Sequence, residues 1–275
     1  QVNPNEFVLI EHRIRKEIKF GKELQETRQF EVKDFIKFMK SEYTRAHAQW
    51  PDMINDFDIS EEGLQKFTRR IRLDLGVFYK SIGTIGGGNH FIEIGKTPDN
   101  TYAFTIHTGS RNLGIKVWAY WSRIAKQGKV DTKELKEKWK ELRETVKDKT
   151  QLTRLCSEAK EDFKKNLKPL GYLEGESLKG YITDMVITQA YAKYNHIVIA
   201  RKLETIFKKI NNASVTEVIR SIHNYIDMQD HIIRKGAIRS YQGEHLVIPF
   251  NMRDGLAICE GKSNQDWNNS APHGS

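Results

Sequence analysis

The chain has 275 residues, enough for one large domain or two small ones with a sizeable hydrophobic core. Charged residues make up 29% and the formal net charge is +9, a balance that favours polyanionic partners, nucleic acid first, although a basic surface can also serve solubility alone. Cys156 and Cys259 do not make a disulfide framework and lack the spacing of a metal site, so we expect two reduced thiols. No stretch approaches the roughly 18 apolar residues of a membrane span and no signal peptide opens the chain, so we expect a cytoplasmic protein that does not bind a membrane.

The N-terminal third is predicted to hold one strand and two helices. Phe7 to Ile14 is a possible strand. Val32 to Gln49 carries apolar residues on one face and predicts an amphipathic helix that ends before Pro51, because a residue preceding proline avoids the helical region. Ser60 is a favourable N-cap for a second helix, which should run to about Arg72.

A hairpin, a long helical segment and further strands follow. Phe91–Ile94 and Tyr102–His107 predict a hairpin across the turn residues 96–100. Residues 115–210 are almost entirely helical in pattern, and the apolar side of Leu178–Lys209 indicates a core helix. Beyond residue 212 the apolar period becomes that of strands, which we predict at Val218–His223, His231–Arg234, His245–Phe250 and Leu256–Glu260.

Two glycine-containing turns stand at the ends of these elements. Residues 83–93 contain four glycines followed directly by Asn89 and His90, and glycine permits positive φ and close approach of a ligand while free N–H groups face an anion. A glycine-rich hairpin with a core histidine is the alternative, because a lone glycine motif is weak evidence. The second turn, residues 107–114, holds hydroxyl groups and Arg111 where a strand leads into a helix, a position that suits phosphate.

Four histidines, His90, His107, His223 and His273, lie beside or close to Gly, Asn or Ser at predicted strand ends or turns. Neutral imidazole is the commonest metal ligand, and catalytic groups gather on loops held by a rigid scaffold. Each histidine taken alone fits a structural role. Together they indicate metal-assisted phosphoryl chemistry, with glycine turns for phosphate, histidines for metal and arginine for charge. The other histidines lack this context and are interpreted as surface or packing residues: His12, His47, His196, His231 and His245.

Several sequence blocks, in order, resemble the RtcB family of RNA-splicing ligases. Residues 83–93 resemble its glycine–Asn-His block, and residues 107–114 resemble its His-Ser-Gly-Ser-Arg-Gly-Leu-Gly block. Ser270–Gly274 resembles the start of its His-Gly-Ala-Gly-Arg block, and Asn195 fits its long helix. The shorter matches are His223-Asn224, Arg234-Lys235-Gly236-Ala237, Gly243-Glu244, Val247-Ile248-Pro249 and Gln189-Ala190-Tyr191-Ala192.

The resemblance implies an enzyme that joins an RNA 3′-phosphate or 2′,3′-cyclic phosphate end to a 5′-hydroxyl end, in tRNA splicing or RNA repair, with GTP and Mn²⁺ as cofactors. A histidine takes GMP from GTP and passes it to the RNA 3′-phosphate, and the 5′-hydroxyl then displaces it. RNA and GTP are the implied partners, together with an archease-like activator protein. Two nearby metals can polarise a phosphoryl group and activate an attacking oxygen, in agreement with the chemistry that the histidines indicate.

The resemblance also implies roles for individual residues. His273 corresponds to the guanylylated nucleophile, and Arg111 to a contact with RNA phosphate. His90, His107 and His223 correspond to the metal ligands. The guanylate contacts that it implies are Asn89, His90, Phe91, Ile92, Glu93, His223, Asn224, Pro249, Phe250, Asn251, Met252 and Gly274.

The chain departs from the family pattern at several points. Nothing in it matches the Asp-x-Gly-Cys block whose Asp and Cys complete the metal site, the Ala-Gly-Arg after the last histidine, or a later lysine that contacts guanine. Phe250-Asn251 replaces Gly-Ser, Leu256 replaces a serine, and Ser275 replaces an alanine. We therefore expect a domain that is incomplete at both ends. Its three metal histidines alone would make a weak manganese site, because manganese favours harder and more numerous ligands.

The sequence as a whole predicts an α+β fold, with RtcB-like mixed β-sheets around a metal and nucleotide cleft and a mainly helical insertion at about 115–212. We expect one RtcB-like catalytic domain over residues 1–275. Two alternatives to the ligase stay open. One is a metal-dependent phosphoesterase that opens cyclic phosphates without joining ends, and the other is a non-catalytic RNA-binding relative.

Overall fold

The computed structural model describes residues 4–127, 132–165 and 171–274 of the chain. Its helices are α1 (Pro4–Glu17), α2 (Val32–Gln49), α3 (Glu61–Arg70), α4 (Leu75–Lys80), α5 (Arg111–Gln127), α6 (Thr132–Thr145), α7 (Lys149–Lys165) and α8 (Gly175–Asn211). Its strands are β1 (Phe91–Lys96), β2 (Tyr102–His107), β3 (His223–Asp227), β4 (Ile232–Arg239), β5 (His245–Asn251), β6 (Gly255–Glu260) and β7 (Ser270–Pro272). Single 3-10 turns cover Pro51–Met53 and Gln265–Trp267.

Helix α8 is the central element of the helical core. It runs for 37 residues, and α1, α2 and α5 pack against it. Phe35 and Met39 of α2 are fully buried against Tyr191 and Tyr194 of α8, with edge-to-face ring contacts that aromatic pairs favour. The prediction of a core helix in this region is confirmed, and so is the amphipathic helix α2. Ser60 caps α3 as predicted, because its Oγ accepts a hydrogen bond from the Gly63 N–H.

The N-terminal segment corrects one prediction. The possible strand at Phe7–Ile14 is wrong, because these residues lie within helix α1. Ile10, Ile14 and Ile18 recur every four residues, and a helix of 3.6 residues per turn gathers them on one face. That face packs into a core with Ile199 of α8.

Seven strands form three small antiparallel sheets in the described part of the chain: β1-β2, β3-β4-β7 and β5-β6. Phe91 pairs with His107 in the first hairpin, as the sequence predicts. Ala237 of β4 pairs with Pro272 of β7, so β7 is added at the edge of the β3-β4 hairpin. Helices combined with small antiparallel sheets confirm the α+β class.

The segment before β3 corrects a second prediction. Val218–His223 is predicted as a strand, but β3 begins only at His223 and extends to Asp227. Residues 213–222 belong to none of the described strands, and one contact to β5 is the hydrogen bond from the Val247 N–H to Ser221 Oγ at 2.8 Å. A segment with an apolar strand pattern forms a strand only where the edge of a neighbouring strand is available for pairing. Residues 218–222 have the pattern but pair with none of the described strands.

The predicted helical insertion contains two kinds of helix. Helices α6 and α7 pack on each other as a hairpin, whereas α5 and α8 belong to the core. Residues 128–131 and 166–170 of that segment, and Ser275 at the chain end, lie outside the described residues. No helix within the described ranges has the length and apolar character to cross a membrane.

A histidine-rich candidate active site

One buried side chain of α8 fixes both glycine-containing turns. Asn195 is fully buried, and its Oδ1 accepts a hydrogen bond from the Gly83 N–H at 2.7 Å. Its Nδ2 donates to the Gly109 carbonyl at 3.2 Å. Thr108 Oγ1 ties the turns to each other by donating to the Ile85 carbonyl at 2.5 Å. The two turns therefore form one unit around the carboxamide of Asn195.

Strand pairing then brings four histidines together. The β1-β2 register places His90 beside His107, with ring centroids 5.7 Å apart. His223, the first residue of β3, faces His107 with the two Nε2 atoms 3.2 Å apart. β7, paired with β4, carries His273 to His223, where the ring centroids are 4.7 Å apart. The four histidines singled out in the sequence thus form one continuous row of rings, the histidine row.

The surroundings of His90, His107 and His223 favour neutral imidazoles. Burial, followed by the positive charge that His223 would carry, lowers the pKa of His107 to about 4. Burial also lowers the pKa of His90, with the charge of Arg111 as the second cause, and the pKa of His223, with His273 as the second cause. The buried Nδ1 atoms of His90 and His223 have no hydrogen-bond partner among the described residues. Neutral rings with unoccupied nitrogens are the form that binds metal.

The histidine row fits part of a metal site. Two nitrogen ligands at about 2.1 Å from one ion stand roughly 3.0–3.4 Å apart, and the Nε2 atoms of His107 and His223 are 3.2 Å apart. Over the residues that the structure describes, no group of three or more His, Cys, Asp or Glu side chains is arranged to hold an ion. Because each ring adjoins the next instead of converging on one point, His90, His107 and His223 form an incomplete ligand set.

A large cleft opens in front of the histidine row, with a volume of about 2810 Å³. Its walls include β2, the start of α5, one side of α8 and the segment 211–229. His90, His107, His223 and His273 all line it. The histidine row therefore faces a large open cleft.

Comparison with known proteins assigns the chain to a family. The family model described as tRNA-splicing ligase RtcB matches residues 2–275. The chain belongs to the RtcB family. It is similar to the RNA-splicing ligase RtcB of Escherichia coli strain K12 and to the RNA-splicing ligase RtcB1 of Escherichia coli strain ATCC 25922, each 26% identical over 243 residues. These matches cover 82% of this chain and 51% of each relative, so the chain spans about half the length of the curated relatives it matches.

Arg111, the phosphate contact that the RtcB resemblance implies, is held at the start of α5. Its Nε donates to Thr84 Oγ1 at 2.9 Å, and its Nη2 donates to the Gly21 carbonyl at 2.9 Å. A Cβ on Gly86, which has a φ of 106°, would collide with this guanidinium and with His90 Nδ1. Glycine is therefore required at position 86. No hydrogen bond within the described residues uses Nη1 of Arg111, which packs against Gly86.

Asn224 shapes the strand that presents His223. It lies at an irregularity between His223 and Tyr225 in the β3-β4 ladder and has a φ of 55°. Bulges of this kind are common beside active sites because they re-aim side chains. Asn224 Oδ1 accepts the Gly236 N–H at 2.8 Å, and a Cβ on Gly236 would lie 3.8 Å from Cε1 of His273. Asn224 thus stands beside two members of the histidine row.

Part of the guanylate pocket implied for RtcB proteins is assembled at the cleft. Asn89, Phe91 and Pro249 line it together with the histidines. The ring of Phe91 lies edge-on to His107, with centroids 5.3 Å apart. Gly274 packs so closely against the Pro249 carbonyl that a Cβ there would collide with it. The end of β5 is thereby held beside His273.

Besides Gly274, five residues of that implied pocket stand outside the cleft lining: Ile92, Glu93, Phe250, Asn251 and Met252. Ile92 packs into the core beside α8, and Glu93 points to the opposite face of β1. The remaining three lie at the tip of the β5-β6 hairpin. There Asn251 Oδ1 accepts hydrogen bonds from the N–H groups of the next turn, and Met252 is 98% exposed.

The sequence analysis missed the supporting roles of two neighbours on α8. His196, interpreted as a surface or packing residue, is next to Asn195, and its Nε2 contacts the Thr108 carbonyl at 2.8 Å. Burial lowers the pKa of His196, so the ring is neutral and Nε2 donates this bond. The available signal was the pair of adjacent polar residues immediately before the apolar run 197–200 of α8. That signal does not say which loops the side chains hold.

Proposed function

We propose that this chain carries the guanylyl-transfer centre of a GTP- and manganese-dependent RNA ligase, which joins 3′-phosphate or 2′,3′-cyclic phosphate ends to 5′-hydroxyl ends. The observation that carries the proposal is the contact of His273 with His223, at 4.7 Å between ring centroids, inside a cleft lined by the whole histidine row. Membership of the RtcB family and a net charge of +9 support the same chemistry.

In the proposed reaction an imidazole nitrogen of His273 attacks the α-phosphorus of GTP. The bond from that phosphorus to the bridging oxygen breaks, and pyrophosphate leaves. The GMP then moves to the RNA 3′-phosphate, and attack by the 5′-hydroxyl forms the phosphodiester and releases GMP. His90, His107 and His223 would hold manganese, which when bound offsets phosphate charge and polarises a phosphoryl oxygen. The protein contributes mainly position and charge.

We assign some cleft residues to contacts with the guanine nucleotide and others to contacts with the RNA. Asn89, Phe91, Asn224 and Pro249 line the cleft beside His273 and would contact the guanylate. Arg111 would contact an RNA phosphate. The implied pocket residues outside the cleft lining would reach the guanylate only through backbone atoms or by movement of the β5-β6 hairpin. Family membership alone supports a role in tRNA splicing or RNA repair in the cytoplasm with an archease-like activator.

Intact mass after incubation with GTP and manganese tests the proposal. We expect the addition of one GMP to the chain or to the complete product of its gene. The adduct should be labile in acid and stable in base, because it has a phosphorus–nitrogen bond. His273→Ala should abolish it. The matched control is His245→Ala, which removes an exposed histidine paired with Glu217 and should leave the adduct unchanged.

The alternatives give different results in the same experiment. Absence of the adduct from the complete gene product at saturating GTP and manganese would contradict the ligase. Opening of a cyclic phosphate that survives His273→Ala would then indicate a phosphoesterase. RNA binding indifferent to GTP, manganese and all four histidines would indicate a non-catalytic RNA-binding relative.

A further inference from the structure

Helix α5 exposes a large aromatic side chain on the face that is turned away from the core. Leu113, Val117 and Trp121 of this helix are buried. Trp118 is 69% exposed and Ile115 is 64% exposed, and both line the cleft. An indole this exposed gains little from packing against the core, and what separates Trp118 from the similarly exposed Trp267 is its place in the cleft lining.

The exposed stripe of α5 follows the phosphate-binding candidate. Ile115 and Trp118 are spaced i and i+3, so they share one face of the helix, and Arg111 stands at its first residue with a φ of 55°. The seven residues from Arg111 to Trp118 correspond to a rise of about 10 Å. Long side chains on a helix point back towards its N-terminus. The indole therefore leans towards the end of α5 that follows His107.

Basic groups without acidic partners accompany this stripe. Nη2 of Arg111 donates to the Gly21 carbonyl, so the adjacent residue Lys22 lies beside it, and both side chains line the cleft. Neither Lys22 nor Arg111 forms an ion pair with any described residue. Two unpaired cations and an exposed indole in one cleft are the combination used for single-stranded nucleic acid, where aromatic rings stack on bases and cations follow the phosphates.

We propose that Trp118 is the stacking platform for a base of the single-stranded RNA end that enters the cleft, with Lys22 and Arg111 on the neighbouring phosphates. This inference rests on the proposed function and deepens it, since it assigns a binding surface to the RNA end on which the guanylyl-transfer centre would act. A protein partner is less well matched, because the apolar part of the stripe is limited to two side chains and its surroundings are cationic.

Fluorescence anisotropy with a labelled oligouridylate of about 12 nucleotides tests the proposal, with neither GTP nor manganese present. Trp118→Ala should weaken binding about 10-fold, within the range measured for loss of one stacked base. Trp118→Phe keeps a ring and should weaken it only about 2-fold. Trp267→Ala is the matched control, because Trp267 is 66% exposed but lies outside the cleft lining, and it should leave binding unchanged.

Indole fluorescence gives a second readout that does not depend on folding of the alanine variant. Oligouridylate should quench the tryptophan emission of the parent chain, and Trp118→Phe should lose most of that quenching. Equal affinities for the parent chain and Trp118→Ala would overturn the proposal. Equal weakening by Trp118→Ala and Trp267→Ala would do the same, and so would unchanged quenching in Trp118→Phe.

The two proposals fail separately. RNA binding that depends on Trp118 in a protein that forms no GMP adduct would leave the stacking platform standing and refute the ligase. A GMP adduct in a protein whose RNA affinity ignores Trp118 would refute the stacking platform alone.

Discussion

Asn195 holds two loops that lie far from it in the chain. Its bonds to Gly83 and Gly109 span 112 and 86 residues. Helical periodicity places Asn195 in the core helix, but a polar residue there has many conceivable partners. The histidines were easier to identify, because each lies in a local context of Gly, Asn or Ser that the sequence displays directly.

Replacing Asn195 by alanine should lower the free energy of unfolding by about 1–3 kcal/mol, because the Gly83 N–H and the Gly109 carbonyl lose a buried partner. Urea denaturation followed by circular dichroism measures the change. Thr205→Ala, at an exposed position of the same helix, should change the value by less than about 0.5 kcal/mol. Equal losses in the two variants would show that the turns do not depend on Asn195.

Among the elements, the β3-β4-β7 sheet owes its cohesion to one buried arginine. Arg234 is 2% exposed, and its Nη1 and Nη2 donate to Asp227 at 2.5 Å and to Asp230 at 2.9 Å. Its Nε donates to Ser270 Oγ of β7 at 2.9 Å. The arginine thereby secures the short strand that ends beside His273.

Arg234→Met should destabilise the protein by about 3–5 kcal/mol, because Asp230 loses its ion pair with Arg234 and Asp227 keeps only the longer one with Arg239, at 3.8 Å. Arg253→Met is the matched control, since Arg253 forms its ion pair with Asp254 at an exposed position. Its effect should stay below about 0.5 kcal/mol in the same urea titration. If Arg234→Met lowered the free energy of unfolding no more than Arg253→Met does, the role assigned to the buried ion-pair cluster would be contradicted.

Alkaline pH should weaken the same sheet. Burial, with the charge of Asp227 as the second cause, raises the pKa of Tyr225 from 10.0 to about 12. In the unfolded chain the phenol ionises near its ordinary pKa. The contribution of Tyr225 to the free energy of unfolding is therefore complete below pH 10 and is lost as the pH rises towards 12. Tyr225→Phe should therefore lose less stability than the parent chain over this interval, as measured by urea denaturation at each pH. Parallel losses would refute the prediction.

Elements with a clear period were predicted well, and those that depend on a neighbour were not. α2, α8 and the β1-β2 hairpin have the apolar spacing or turn residues that define them locally. The region of α1 was predicted as a strand although Ile10, Ile14 and Ile18 recur every four residues, and their packing with Ile199 of α8 shows that this spacing was the relevant pattern. Residues 218–222 have a strand-like pattern, but a strand forms only if the backbone can pair with the edge of a neighbouring strand.

The net charge of +9 and the cleft together set how the whole molecule should respond to salt. Four cations that line the cleft form no ion pair within the described ranges: Lys22, Arg111, Arg201 and Arg220. If all four meet phosphates, the logarithm of the affinity for single-stranded RNA should fall with the logarithm of salt concentration with a slope of about −3.

Lys22→Ala should make that slope about 0.7 less negative, because one phosphate contact is lost. Arg154→Ala on α7 is the control, since Arg154 is exposed and pairs with Glu158 away from the cleft. It should leave the slope unchanged. The same anisotropy titrations at several salt concentrations measure both slopes, and identical slopes for all three proteins would contradict a phosphate contact by Lys22.

The sequence by itself determined the RtcB family, the α+β class and the four histidines, because these depend on short motifs and on spacing along the chain. Only the tertiary structure decided that the four rings form a row, that part of the implied guanylate pocket stands apart at a hairpin tip, and that Trp118 faces the cleft. These features arise from strand register, from the burial of one helix face and from contacts between distant elements, such as that of His107 with His223, which are 116 positions apart. No local pattern records such distances.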